Sequence, residues 1–184
     1  LTRRRKRKDT GGLGCLTGIF GFALFITVIP VITTLATGTI PASAHTIQTP
    51  PSGGAFVWPV EGSTRITSPF GYRLDPETDG HSEFHTGVDI GANAGTHVRA
   101  VAPGEVTFAG WDGNYGNKVA IRHSGSWVTW YGHLQEFLVR KGDIVAAGDL
   151  IGLVGSTGRS TGPHLHLEVR VNDEPVDPLM WLSP

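Results

Sequence analysis

From about residue 63 onward the chain is cut by turn chemistry into short β-prone runs, which argues against any architecture built on helices. The cuts fall at Pro103-Gly104, Asp112-Gly113-Asn114, Ser124-Gly125, Lys141-Gly142-Asp143, Gly148-Asp149 and Gly155-Ser156-Thr157-Gly158. Gly, Asn and Asp supply the backbone angles that tight turns need, and they interrupt helices. Between the cuts, strands are expected at His97–Ala102, Glu105–Trp111, Lys118–His123, Trp127–Gly132, Ile144–Ala147, Leu150–Val154 and His164–Val171. No stretch of this part carries a helical period. The expectation is one all-β domain over 63–184, large enough for a single core.

The run Gly162–Val171 carries the sharpest pattern. Leu165, Leu167, Val169 and Val171 share one face of a strand, while His164, His166, Glu168 and Arg170 share the other. Two imidazoles two residues apart on one face have Cα atoms roughly 6–7 Å apart. One ring can hold a metal while its neighbour works on whatever the metal binds. A half-exposed strand that merely carries two histidines has the same pattern, so the pair needs partners.

Charge is distributed unevenly. Residues 1–44 carry six basic side chains against one acid, Asp9, or +5; the totals of 15 basic and 16 acidic groups leave 9 and 15, or −6, for residues 45–184. A net-acidic domain argues against nucleic acid as its partner, because phosphate binding needs a basic surface. Between Thr10 and Val60 there is no Asp, Glu, Lys or Arg, and Leu16–Leu35 is dominated by apolar residues and Thr. That is about the ~20 residues a helix needs to cross a bilayer. Residues 1–12 then read as a basic cytoplasmic N-terminus and residues 13–44 as a transmembrane anchor or a signal peptide. Ala42-Ser43-Ala44 fits signal-peptidase cleavage, whereas the length of the apolar run fits an uncleaved anchor. Both place the domain outside the cytoplasm, with the membrane as partner of the N-terminal segment. Residues 45–62 read as an extracytoplasmic linker. Cys15, the only cysteine, precedes this domain, so no intramolecular disulfide forms.

His85-Thr86-Gly87-Val88-Asp89 is a second polar cluster. Its glycine and valine disfavour a helix, and fully extended it would set the His85 and Asp89 Cα atoms about 13 Å apart. Joint ligation needs the chain to bend, and Gly87 sits where the bend must fall. Two histidines and an aspartate suit zinc with an open fourth position. His133, in Tyr131-Gly132-His133-Leu134, ends an aromatic strand, and by itself reads as a solvated or capped residue.

Taken together, Ser68-Pro69-Phe70-Gly71-Tyr72-Arg73, His85-Thr86-Gly87-Val88-Asp89-Ile90, Gly104-Glu105-Val106, Tyr115-Gly116-Asn117, Tyr131-Gly132-His133-Leu134, Gly142-Asp143 and the run from Gly155 to Glu168 resemble the lysostaphin-like, LytM-domain zinc endopeptidases. The resemblance covers roughly residues 66–178. It implies a sandwich-like β-sheet domain with a groove over one zinc ion. It further implies His85, Asp89 and His166 as metal ligands, and His133 and His164 as the two non-ligand histidines that move the proton and brace the oxyanion. The loop Ser156–Pro163 abuts that site, which makes Ser160 and Thr161 candidate substrate contacts, although a plain connection has the same composition. The implied reaction is hydrolysis of peptide bonds in bacterial cell-wall peptidoglycan, at the membrane or secreted to the wall. A non-catalytic wall-binding or hydrolase-activating module is the rival reading; such modules typically lose zinc ligands, and here all five residues are present. A purely structural metal normally takes four protein ligands.

Gly132 stands where many members carry Ala, a departure expected to matter little. Glu168 is expected as a solvated carboxylate, with acceptance of an imidazole N–H as the alternative. Trp111, Trp127, Trp130 and Trp181 are expected in the core or capping the sheet. His97 and His123 read as packed or solvated and His81 as solvated, while Arg99, Arg122 and Arg170 read as exposed strand positions.

Overall fold

A computed structural model describes residues 56–74 and 82–183. The expected segments 1–12 and 13–44, most of the linker and His81 lie outside them. Among the described residues no helix is long and apolar enough to cross a membrane.

The domain is all-β, as expected. Its strands are β1 (Ile66–Ser68), β2 (Gly71–Leu74), β3 (Ser82–His85), β4 (Val88–Gly91), β5 (His97–Arg99), β6 (Gly104–Trp111), β7 (Asn117–Arg122), β8 (Trp127–Leu134), β9 (Glu136–Phe137), β10 (Ile144–Val145), β11 (Leu150–Leu153), β12 (His164–Val171) and β13 (Glu174–Val176). One sheet runs β1-β4-β12-β8-β7-β6-β10, with β13 also paired to β12; β5-β11-β9 and β2-β3 form two smaller sheets.

Period-2 alternation decides which face of the large sheet is dry. Leu165, Leu167, Val169 and Val171 of β12 are buried beside Val88 and Ile90 of β4, Val119 and Ile121 of β7, and Trp127 and Tyr131 of β8. Val98 and Ile151 from the small sheet close the same core. Each fully buried Leu or Ile contributes about 1.5–3 kcal/mol. Phe56 and Val60, within the expected linker, also pack onto this core, Phe56 edge-on to Trp127 and Trp181.

Two tryptophans depart from expectation. Trp111, at the end of β6, is 64% exposed. Trp130 lies opposite Glu168 on the other face of the sheet, under the cations of Lys118 and Arg170. Trp127 and Trp181 are buried, as expected.

Candidate metal centre and groove

The polar face of β12 meets β4 on one side and β8 on the other. Register places His166 opposite Asp89 of β4 and opposite Gly132 of β8. His85 arrives from a different strand. It ends β3, the chain turns through Thr86 and Gly87, and Asp89 follows within β4. The expected bend is there, and the structure gives its physical reason. Gly87 is not among the positive-φ glycines; instead a Cβ there would lie 2.3 Å from the Leu167 carbonyl oxygen and 3.0 Å from the His166 ring. Close approach to β12, not left-handed backbone, requires glycine.

Three atoms converge. His85 Nε2 lies 3.1 Å from His166 Nδ1 and 3.2 Å from Asp89 Oδ1, and His166 Nδ1 lies 2.8 Å from the same oxygen. All three residues are buried. Zinc bonds of about 2.0–2.1 Å in a tetrahedron require ligand separations of ~3.3 Å, close to this triangle. The other nitrogen of each ring is already committed: His85 Nδ1–H donates to the Pro69 carbonyl at 2.8 Å, and His166 Nε2–H to Glu168 Oε1 at 3.1 Å. With His166 Nδ1 deprotonated, two lone pairs and a carboxylate oxygen face one point, an arrangement that a cation satisfies. The residues fit a metal ion.

The electrostatics agree. Burial alone would raise the Asp89 pKa, but hydrogen bonds and charge from His166 and His85 hold it well below the usual carboxylate range. Burial opposes a charge on His166, yet Asp89 and Glu168 push its pKa up to about 9. A site that favours a proton so strongly favours a metal cation for the same reason. Asp89 Oδ2 receives Arg73 at 3.2 Å, and Arg73 also grips Ser68 and Glu83. Sequence reasoning gave Arg73 no role; its place in the Ser68–Arg73 motif was the available signal.

Glu168 corrects two expectations. It is fully buried, not solvated, and Arg170 is half-buried against it at 2.6 Å rather than exposed. Burial raises the Glu168 pKa, but bonds from His166, Thr86 and Tyr115 bring it down to about 2. Arg122 is exposed, and Arg99 is half-buried between Glu61 and the Gly148 carbonyl. His97 is exposed beside Glu61, whereas His123 is buried, stacked on Trp127 and bonded to Pro103 and Thr129.

His133 and His164 lie beside the triad, their ring centroids 4.8 Å apart. Each donates Nδ1–H to a backbone carbonyl, His133 to Thr157 at 2.8 Å and His164 to Gly162 at 2.7 Å. That leaves each Nε2 with a free lone pair; His164 Nε2 is 3.6 Å from Asp89 Oδ1. Burial lowers the His133 pKa to about 4, so the ring is neutral at pH 7. A bulge aims it. Asn117 pairs with Leu134 and Val119 with Tyr131, so β8 carries one extra residue there, and His133 takes the left-handed φ of 60°.

The five residues border a groove of about 490 Å³, whose walls include Phe84, Tyr115, Arg159, Ser160 and Thr161. Gly116 and Gly158, both at positive φ, let the turn at 113–117 lock against the loop that carries Thr157 and Ser160; a Cβ on Gly158 would meet the Gly116 nitrogen at 2.4 Å.

The sequence profile described as Peptidase family M23 matches residues 83–178. "DD-carboxypeptidase/endopeptidase Mpg" of Neisseria meningitidis is 54% identical over 122 residues, which cover 66% of this chain and 28% of that protein. The chain therefore spans under a third of the length of that curated relative. A zinc-containing peptidase from Vibrio cholerae superposes with a TM-score of 0.63 at 38% identity, over 71% of this chain and 40% of that one. The catalytic domain of lysostaphin from Staphylococcus simulans gives 0.58 at 36% identity, over 64% of this chain and 90% of that one.

Proposed function

Because the chain belongs to peptidase family M23, a family of metallopeptidases, we propose that this domain is a zinc endopeptidase that hydrolyses peptide bonds of bacterial peptidoglycan outside the cytoplasm. The observation that carries the reading is the pairing of a three-ligand metal triangle with two further imidazoles whose Nδ1 atoms are held by backbone carbonyls, which turns each Nε2 to the groove side of the ring. A structural site would fill the fourth position with protein. Relatives and neighbours named as endopeptidases and a zinc-containing peptidase support it.

In this reading His85, Asp89 and His166 hold the ion, which supplies the Lewis acidity that activates water and polarises the scissile carbonyl. His133 and His164 take up the water proton, return it to the leaving amine and brace the developing oxyanion. Their Nδ1–H bonds to Thr157 and Gly162 hold both rings in the tautomer this requires. Ser160 and Thr161, on the groove wall, contact the extended peptide. The segment 13–44 holds the domain at the membrane or directs its export.

The test is to purify the chain, measure bound zinc and incubate it with purified peptidoglycan. New amino termini that vanish in His164→Ala are the expected result. A folded, zinc-loaded protein that releases no peptide ends from walls of differing cross-links would overturn the enzyme in favour of a wall-binding module.

A further inference from the structure

We infer that Glu168 is a positioning residue for the metal centre: clamped by Arg170, Tyr115 and Thr86, it holds His166 in the tautomer that presents Nδ1 to the ion. The inference rests on the metal-site reading above and not on the identity of the substrate.

A carboxylate with no exposed surface is costly unless its oxygens are filled. Here they are. Oε1 accepts from Thr86 at 2.6 Å, Tyr115 at 2.7 Å and His166 Nε2–H at 3.1 Å, and Oε2 accepts from Arg170 at 2.6 Å. A neutral imidazole has one N–H to place, and two carboxylates compete for it. On the Nδ1 side stands Asp89 Oδ1 at 2.8 Å; on the Nε2 side stands Glu168. A proton on Nδ1 would satisfy Asp89 and remove the lone pair that ligation needs. A cation at the triangle would replace the Nδ1 proton, and Glu168 is then the acceptor that holds the remaining N–H on Nε2, provided that it cannot swing away.

The clamp ensures that. Arg170 lies over the Trp130 ring at 4.4 Å and also donates to the Asp173 carbonyl at 2.7 Å, so its guanidinium is fixed at three points. Trp130 sits directly across from Glu168 in the β8–β12 register, and Tyr115 packs edge-on against it at 5.5 Å. The two histidine ligands therefore differ. His85 is backed by the neutral Pro69 carbonyl and His166 by a full negative charge, which makes His166 the more basic donor.

The experiment compares zinc affinity by chelator competition, and the visible spectrum of the cobalt-substituted protein, in wild type, Glu168→Gln and Glu168→Ala. Apo-protein melting is followed in parallel. The expected result is a loss of zinc affinity of roughly 10–100-fold for Glu168→Ala, with partial rescue for Glu168→Gln, which keeps one acceptor oxygen but turns its amide N–H group on Arg170 and so melts below wild type. The cobalt spectrum shifts in both variants, a change that mere loss of stability would not produce. Should Glu168→Ala fail to fold, Glu168→Gln decides alone. Wild-type affinity and an unshifted spectrum in the folded variants would overturn the inference. A wild-type chain that binds zinc yet cuts no wall would sink the proposed enzyme and leave this role standing.

Discussion

Two neighbouring strands bring histidines to the groove by opposite means. β12 is regular: its alternation puts His164, His166 and Glu168 on one face and four aliphatic residues in the core. β8 breaks its alternation. Counting outward from buried Tyr131, His133 belongs on the core side, and only the bulge with its left-handed φ of 60° returns it to within 4.8 Å of His164. The ligand that must hold a metal stands on an unstrained ladder, while a group that handles protons stands on backbone that costs of order 1–3 kcal/mol to maintain. The regular strand carries a ligand and one of the proton-handling histidines, and the second such histidine needs a bulge to reach the same groove.

Substitutions can break this contrast at either strand. His166→Ala should abolish hydrolysis outright and leave the protein without stoichiometric zinc, as read by metal analysis. His133→Ala should keep its zinc and still lose about 10²–10⁴-fold in rate. If zinc and activity fell together there, the bulged histidine would be serving the metal and not the proton.

The core face of β8 yields the next effect. His123 joins Thr129 and Tyr131 in a buried hydrogen-bonded chain, and burial pushes its pKa from 6.5 down to about 4. Between those values the unfolded chain binds a proton that the folded chain refuses. The stability tied to His123 is therefore full above pH 6.5 and falls by about 3 kcal/mol as pH drops to 4. Urea unfolding at pH 7.5 and 4.5 should show His123→Gln losing that share of the pH dependence; an unchanged slope would refute it. The smallest effect belongs to Gly132→Ala. The new Cβ would sit 3.3 Å from the Tyr115 ring and 3.5 Å from His166 Cβ, so the ring must yield by a few tenths of an ångström. Activity should change less than about tenfold, within 1.4 kcal/mol of barrier, and a larger loss would mean that Tyr115 tolerates no displacement.

What was legible in the sequence follows the same contrast. The runs behind β5 to β8 and β10 to β12 could be read because turn residues punctuate β-prone stretches, and in β12 alternation also names the face. The strands β1–β4 were not read, since Pro69, Gly71 and Gly87 break them into pieces of three or four residues, and the β12 partner of β4 lies far along the chain. The His85–Asp89 bend was legible but its cause was not, because the atom that excludes a side chain at Gly87 belongs to Leu167. Glu168 and Arg170 read as solvated for a related reason. Alternation names a face, and it does not reveal that Tyr115, Thr86 and Trp130 roof that face over.

Glu83 ties the groove together in a way that ionic strength can reach. It bonds Arg73 on the β2–β3 hairpin at 2.8 Å and Arg159 on the opposite loop at 3.2 Å, with all three side chains partly open to water. Counterions at 1 M salt shorten the Debye length to ~3 Å and loosen such a tie, whereas the buried triad is screened far less. High salt should therefore alter how the groove grips its substrate before it alters metal content, and a salt series of KM beside zinc occupancy would separate the two effects.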